Sequence, residues 1–407
     1  MNKRHAPVPR GRILPLLLVF FALSGCSRGR ISSVARMDLF NLEIGPLEDQ
    51  VNLVNLAGGS SSSRTTLAMR DGFFYISDTA GRKIVRYSSY GDLLFVIYND
   101  ETNPPPITLR RGINEEGMAT RWSIAYPLKE PGVITVDSRK HIYAADKVDA
   151  SRRSVDTENN SLLDNVVLHF NDTGRFVDFL GQEGIGGKPF PRITGIYASR
   201  DDEIAVVCLL LTGWSIYWFN SEGTLLYLVH LRNDSIPVPQ GKQADYTSMD
   251  MVTVSPDERK LFFKVDYYRN TAEEDGNPRA LPESSVVWIM DVETGAYEES
   301  ITVPFFEYTA TENDKKVTQK LPYAMLGVIE DSRVFLYFPV DGGYSLLVLS
   351  AGLKNQRLGF IQVRNEELEY NTFNLSKEGI LSGLLATEWD ARLVWWRTDR
   401  LLGDVSL

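Results

Sequence analysis

Histidine and cysteine are the scarcest reactive side chains here: four histidines and two cysteines in 407 residues. A protein metal site needs three or four His, Cys or carboxylate ligands on one point. His5 lies in the basic N-terminal stretch, and His141, His169 and His230 fall in different units of the repeat traced below. Their positions are turns and outer strands, so a three-histidine site is not expected. Asp137, Asp146, Asp257 and Asp291 recur at strand ends and turns, with no Asp-x-Asp-x-Asp-Gly loop. Aspartates so placed bond nearby backbone amides. No cofactor is assigned; a calcium ion on the symmetry axis of the repeats is the alternative. No Gly-x-Ser-x-Gly occurs after residue 36, and the glycines between 181 and 187 precede no helix, as a dinucleotide or phosphate loop would require. No catalytic residue is assigned. Cys208 sits inside the apolar run Ile204–Leu211 and reads as a small buried hydrophobe.

The other cysteine, Cys26, has a different setting. Lys3, Arg4, Arg10 and Arg12 precede an apolar run from Ile13 to Leu23, and Leu23-Ser24-Gly25-Cys26 ends it. The run is about half the ~20 residues that a membrane-spanning helix needs, which fits the core of an export signal. The small residues followed by cysteine resemble the lipobox of bacterial lipoproteins. That resemblance implies cleavage before Cys26 and attachment of fatty acyl chains, palmitate among them, to its sulfur and new amino group. The expected division is a signal peptide over 1–25, a lipidated tether over 26–36 and one domain over 37–407. The expected location is the cell envelope, on the outer membrane or the periplasmic face of the inner one, with the membrane as a partner through Cys26. Arg28, Arg30 and Arg36 could lie on anionic headgroups or simply belong to a polar tether.

The elements that must position the rest are strands. Asp71-Gly-Phe-Phe-Tyr-Ile-Ser-Asp78, Lys83-Ile-Val-Arg-Tyr87 and Gly91-Asp-Leu-Leu-Phe-Val-Ile97 form a strand–turn–strand–turn–strand unit. Looser copies begin near residues 133, 193, 251, 323 and 370, each with about four strands and no helical period. Four-stranded units of ~40 to 60 residues are propeller blades. The predicted fold is therefore all-β: a β-propeller, six blades with seven as the alternative, the seventh built from 99–130. The last unit lacks an outer strand, and Met37–Val54 is the strand-like segment predicted to supply it and close the ring. Gly181-Gln-Glu-Gly-Ile-Gly-Gly-Lys-Pro-Phe-Pro191 with Tyr75-Ile-Ser-Asp78 and Lys83–Tyr87 resembles NHL repeats over residues 65–200. Val254-Ser-Pro-Asp-Glu-Arg-Lys260 resembles TolB-type or WD-like blades. The overall layout is similar to that of spirochaete lipoproteins.

With strands lettered a to d outward from the axis, b–c and d–a connections emerge at one end. The long segments 99–130, 147–165, 231–248, 266–285 and 304–322 are all of these two kinds, so all five are predicted on one face. A rigid scaffold with loops gathered on one face is a binding platform. Tyr267, Tyr268 and Arg269, with Arg110 and Arg111, are the candidate binding residues, since aromatic and arginine side chains anchor interfaces. The formal charge of -10 argues against nucleic acid as partner. The expectation is a monomeric, non-catalytic platform for an envelope protein. The NHL resemblance keeps open a hydrolase or lyase with an axial metal, for which carboxylates or histidines must converge on the channel. A surface adhesin is the third reading.

Overall fold

The computed structural model describes residues 32–53, 64–111, 121–272, 278–312, 315–352 and 356–403. Six sheets stand around one axis, the inner three strands of each antiparallel and in chain order outward. Blade one is Thr66–Arg70, Phe73–Asp78, Lys83–Ser88 and Leu93–Tyr98; blade two is Ile134–Val136, Ile142–Lys147, Asn165–Phe170 and Phe176–Gly181. Blade three is Arg192–Ala198, Ile204–Leu210, Gly213–Phe219 and Leu225–Arg232. Blade four is Tyr246–Val254, Lys260–Ala272, Pro278–Asp291 and Ile301–Val303; blade five is Ala324–Val328, Val334–Val340, Gly343–Leu349 and Arg357–Gln362. Blade six takes Tyr370–Leu375, Leu381–Ala386 and Asp390–Trp396 from the end of the domain and Arg36–Glu43 from its beginning. Each inner strand touches the inner strand of the next blade, and blade six returns to blade one.

The closing strand lies antiparallel to Asp390–Trp396, from Arg36 opposite Trp396 to Glu43 opposite Asp390. It is shorter than the predicted Met37–Val54, because the chain turns after Glu43 and returns across blade one. A closed ring leaves no unpaired inner edge to recruit other chains. The alternative of a seventh blade from 99–130 does not form among the described residues. Trp122–Ala125 and the short Arg110–Arg111 add in parallel to the outer edge of blade one instead.

Apolar residues face both neighbouring blades, which is why the strands read as nearly continuous hydrophobic runs. Trp218 and Trp396 are fully buried in this packing. Cys208 is fully buried too, on blade three, and burial alone raises its thiol pKa. It is an inert core residue, as its sequence context indicated.

At the short-turn end, polar contacts join blade to blade. Lys140 pairs with Asp71 at 3.1 Å, and Ser138 N donates to Asp202 at 2.7 Å. Arg259 grips Glu203 at 2.5 Å, and Lys377 pairs with Glu330 at 2.7 Å. Each contact ties the a–b turn of one blade to its neighbour, so this end is built for cohesion. Asp137, Asp146 and Asp291 accept backbone N–H bonds from nearby residues, in the role expected of turn aspartates.

Candidate binding face

Strand alternation sends every b–c and d–a connection to the end opposite those short a–b and c–d turns. There parts of three long segments form paired strands. Ser154–Asp156 pairs with Ser161–Leu163 as a small hairpin on blade two. Phe306–Glu312 pairs with Lys315–Leu321 as a second, between blades four and five. Its base is fixed by Phe306, which stacks on Phe338 with ring centres 4.2 Å apart.

The third element is the largest. Strands b and c of blade four, 13 and 14 residues long, run on past the sheet. The inner strand covers them only to Tyr268, and the outer strand only from Ser285 inward. From Arg269 opposite Leu281 to Ala272 opposite Pro278 the two strands pair with each other, and no third strand joins them there among the described residues. The d–a connection from blade three braces its base. Asp245 N donates to Tyr268 O at 2.9 Å, Asn270 N to Asp245 at 2.6 Å, and Lys242 pairs with Glu283 at 3.1 Å. Segments 231–248 and 266–285 therefore do meet.

The candidate residues separate. Tyr267 is corrected from interface anchor to core residue: it is 0 % exposed. Its hydroxyl donates to Pro237 O at 2.5 Å and accepts from Trp288 Nε1 at 2.8 Å. Burial pushes its pKa up to about 12. Tyr268 is half-buried, stacked on Tyr246 at 5.2 Å and 9°. Of the three blade-four candidates Arg269 is the exposed one, at the root of the ribbon. Arg110 is exposed as well, but it lies with Arg111 on blade one, across the ring from blade four, so the structure brings neither to the Tyr267 cluster. Cys26 lies outside the described residues.

Other side chains do mark this face. Ile107, Val155, Leu162, Val238, Leu281 and Tyr308, all on its connections, are exposed large apolar residues. Trp389 is 83 % exposed at the tip of the b–c turn of blade six. It is not among the candidates that the sequence offered. The available signal was its place in Thr387-Glu-Trp-Asp390, a polar turn between two strands.

The end segment of the 99–130 connection is clamped here by Asp146, whose carboxylate accepts N–H bonds from Lys129, Glu130 and Lys147. Burial nevertheless wins and raises its pKa to about 6. A raised carboxyl pKa stabilises the fold below the unfolded value of ~3.9 and loses that contribution as pH rises through 6. We expect roughly 3 kcal/mol of stability to disappear between about pH 4 and pH 7 from this group. Denaturant titrations across that range should show the fall in the natural chain and a flatter curve in Asp146→Asn. Parallel pH curves for the two chains would refute the assignment.

The channel along the axis has a volume of 280 Å³ and is lined by all six inner strands. Thr66, Thr135, Thr194, Thr372 and Asn374 are among its polar groups, and Arg70 and Lys377 are its cations, amid apolar neighbours. Its carboxylates are Asp71 and Glu378, both at the turn end, where Asp71 is paired with Lys140. No histidine lines it, and among the described residues no three His, Cys, Asp or Glu side chains gather as a metal site. The axial hydrolase or lyase therefore has no ligand set here among those residues.

The histidines need a correction as well. His141 and His169 belong to the same blade, with Nδ1 of the first 2.9 Å from Nε2 of the second. Nδ1 of His169 is 3.0 Å from Asp178, and Tyr143 stacks on its ring at 4.5 Å. If His169 donates to Asp178, its Nε2 accepts from His141, an arrangement that both neutral rings satisfy. Burial lowers the pKa of His169, in keeping with a neutral ring. His230 is separate, bonded to Ser215 on blade three at 2.9 Å.

No protein-family model matches the sequence, and no curated protein matches it. Among solved structures, the chain is similar to hydrazine synthase of Kuenenia stuttgartiensis (11% identity, 82% of this chain and 80% of that one, TM-score 0.40). It is also similar to the β-propeller domain of the Trilobed protease from Pyrococcus furiosus (9% identity, 82% and 95%, TM-score 0.39). A glucose dehydrogenase gives 10% identity, 89% and 99% coverage and a TM-score of 0.38. Likeness of this degree carries no argument about activity. The six-bladed fold rests on the strand pairing of the chain itself.

Proposed function

We propose that this protein is a lipid-anchored β-propeller of the cell envelope, and that it acts without catalysis as a platform for another envelope protein. The observation that carries the reading is the protruding ribbon in which Arg269–Ala272 pairs with Pro278–Leu281, on the face where the long connections emerge. A two-stranded ribbon that no third strand joins is at best marginally stable in water, so the fold does not depend on its pairing. It is braced at its root and carries an exposed leucine, Leu281, where a partner could cover it. The anchor fits the same picture. The tether leads into Ser32–Ser33, which runs beside the outer strand of blade five, and then into Arg36 at the short-turn end. An acylated Cys26 would put that end towards the bilayer and the loop-bearing face away from it.

The test places a photoreactive residue at Leu281, 49 % exposed, and at Tyr90, 89 % exposed in a short turn at the other end. We expect one envelope protein to crosslink at Leu281 and not at Tyr90. Replacing 269–281 by a two-residue turn should abolish capture while leaving the melting temperature within about 1 °C, since no other strand pairs with the ribbon. Equal capture at both sites, or capture that survives the shortening, would sink the platform reading.

A further inference from the structure

The chain is acidic overall, yet one pocket of 610 Å³ is lined by four arginines and no acid. It lies between blades five and six at the short-turn end, walled by residues 32–37, the start of the outer strand Arg357–Gln362 and the C-terminal turn Thr398–Leu402. Two of the arginines are committed elsewhere. Arg36 is held by Glu367 at 2.6 Å, and Arg397 by Asp399 at 2.6 Å. Arg357 and Arg400 are exposed and have no carboxylate partner among the described residues. Between them the floor is apolar, built from Val34, Leu358, Trp395 and Leu401. Unpaired guanidinium groups over an apolar floor suit a ligand with an anionic head and a hydrocarbon body.

The length of the tether names the source. Ser32 is already part of blade five, and Cys26 is only six residues earlier in the chain. Six extended residues reach ~21 Å at most. An acyl-anchored Cys26 therefore holds this pocket within that distance of the bilayer surface, where phospholipid phosphates are the abundant anions. We propose that Arg357 and Arg400 bind the phosphate of an anionic phospholipid whose glycerol and upper acyl carbons rest on Leu358, Trp395 and Leu401. The choice of a lipid as source rests on the anchor reading; the affinity for a phosphate does not. Bound this way, the headgroup fixes the tilt of the propeller, which a flexible tether alone would leave free.

The test uses the full chain purified in a non-ionic detergent, titrated with dihexanoyl phosphatidylglycerol, dihexanoyl phosphatidylcholine and inorganic phosphate. We expect saturable binding of the glycerol lipid, at least tenfold weaker binding of phosphate at the same site, and none of the choline lipid. The double variant Arg357→Ala/Arg400→Ala should bind the glycerol lipid about 30-fold more weakly, as each basic residue facing an anionic lipid is worth roughly fivefold. Both side chains are exposed and unpaired, so its melting should match that of the natural chain. Equal binding of the two lipids, or full affinity in the double variant, overturns the proposal. Phosphate binding as tightly as the lipid would assign the pocket to a soluble phosphate and overturn the lipid source. Mass analysis of the N-terminal peptide reports separately on Cys26. An unacylated cysteine with lipid binding intact would overturn the anchor and leave the pocket standing.

Discussion

Arg36→Ala should destabilise the propeller by about 3 to 5 kcal/mol at neutral pH, the usual cost of orphaning one member of a buried ion pair. Arg36 is the first residue of the closing strand and grips Glu367 through two hydrogen bonds of 2.6 Å. Glu367 is only 1 % exposed. Without Arg36 its carboxylate keeps the Arg364 amide at 3.1 Å and Arg392 at 3.6 Å, too little to offset burial. Over a domain of this size the loss corresponds to a fall of about 5 °C in Tm. The pH dependence gives a sharper check. Burial pushes the Glu367 carboxyl up, but the Arg36 hydrogen bonds and charge and the Arg364 amide hold it below its ordinary range. A depressed carboxyl contributes stability above its unfolded pKa of ~4.3 and loses it as pH falls through the folded value. The penalty of Arg36→Ala should therefore shrink in acid. Amide protons of the closing strand should also exchange faster in the variant, because its first residue is released. A Tm within 1 °C of the natural chain at pH 7 would remove Arg36 from the closure.

Lys83→Met should cost a similar ~3 to 5 kcal/mol, by the same orphaning of a buried charge. Lys83 and Asp78 are 1 % and 0 % exposed, with Nζ 3.8 Å from the carboxylate. Lys83 Nζ also donates to the carbonyl of Leu47, and Asp78 accepts from Asn52 N at 2.8 Å. Tyr87 adds a bond to Asp49 O at 3.0 Å. Together these side chains pin the segment that joins the closing strand to blade one. Burial raises the Asp78 pKa, with Lys83 opposing it. Methionine fills the same space without the opposing charge, so the pKa should rise further. A carboxyl with a raised folded pKa loses its contribution as pH increases through that value. The Lys83→Met penalty should consequently grow from acid to neutral pH, in the same direction as the Arg36→Ala penalty, since both leave a buried carboxylate without its cation. Asp78→Asn added to Lys83→Met should recover more than half the loss. A double variant no more stable than Lys83→Met would show that the segment, and not the stranded charge, sets the cost.

These two sites sit at opposite ends of one closure, and they differ in how visible they were. The closing strand was legible because the last repeat is one strand short and the first strand-like segment has no unit of its own. The clasp was not, because Lys83 reads as the ordinary polar start of a strand. Nothing near it in sequence says that Leu47 will pass overhead and bury it.

What the sequence determined by itself follows from local rules. Alternating and β-branched runs broken by Asp-Gly and Asn-Asp-Thr-Gly turns make strands and tight connections whatever surrounds them. Counting them yields the all-β class and six units, and strand alternation then yields the face from which the long segments leave. Tertiary structure decided what those segments became. Tyr267 looked like a loop aromatic, yet the pairing of Tyr246–Val254 and Pro278–Asp291 with its strand carried the sheet past it and buried it. Ring order set Arg110 and Arg111 across the molecule from Arg269. Register put Tyr143 opposite His169 and brought His141 within hydrogen-bond distance of it, though 28 residues separate the two histidines. Exposure of Trp389 and the convergence of Arg357 with Arg400 were equally remote from any local pattern. A strand is a preference that each residue expresses alone or with near neighbours. Register and burial depend on which distant strand arrives beside it, and that is settled only when the whole ring closes.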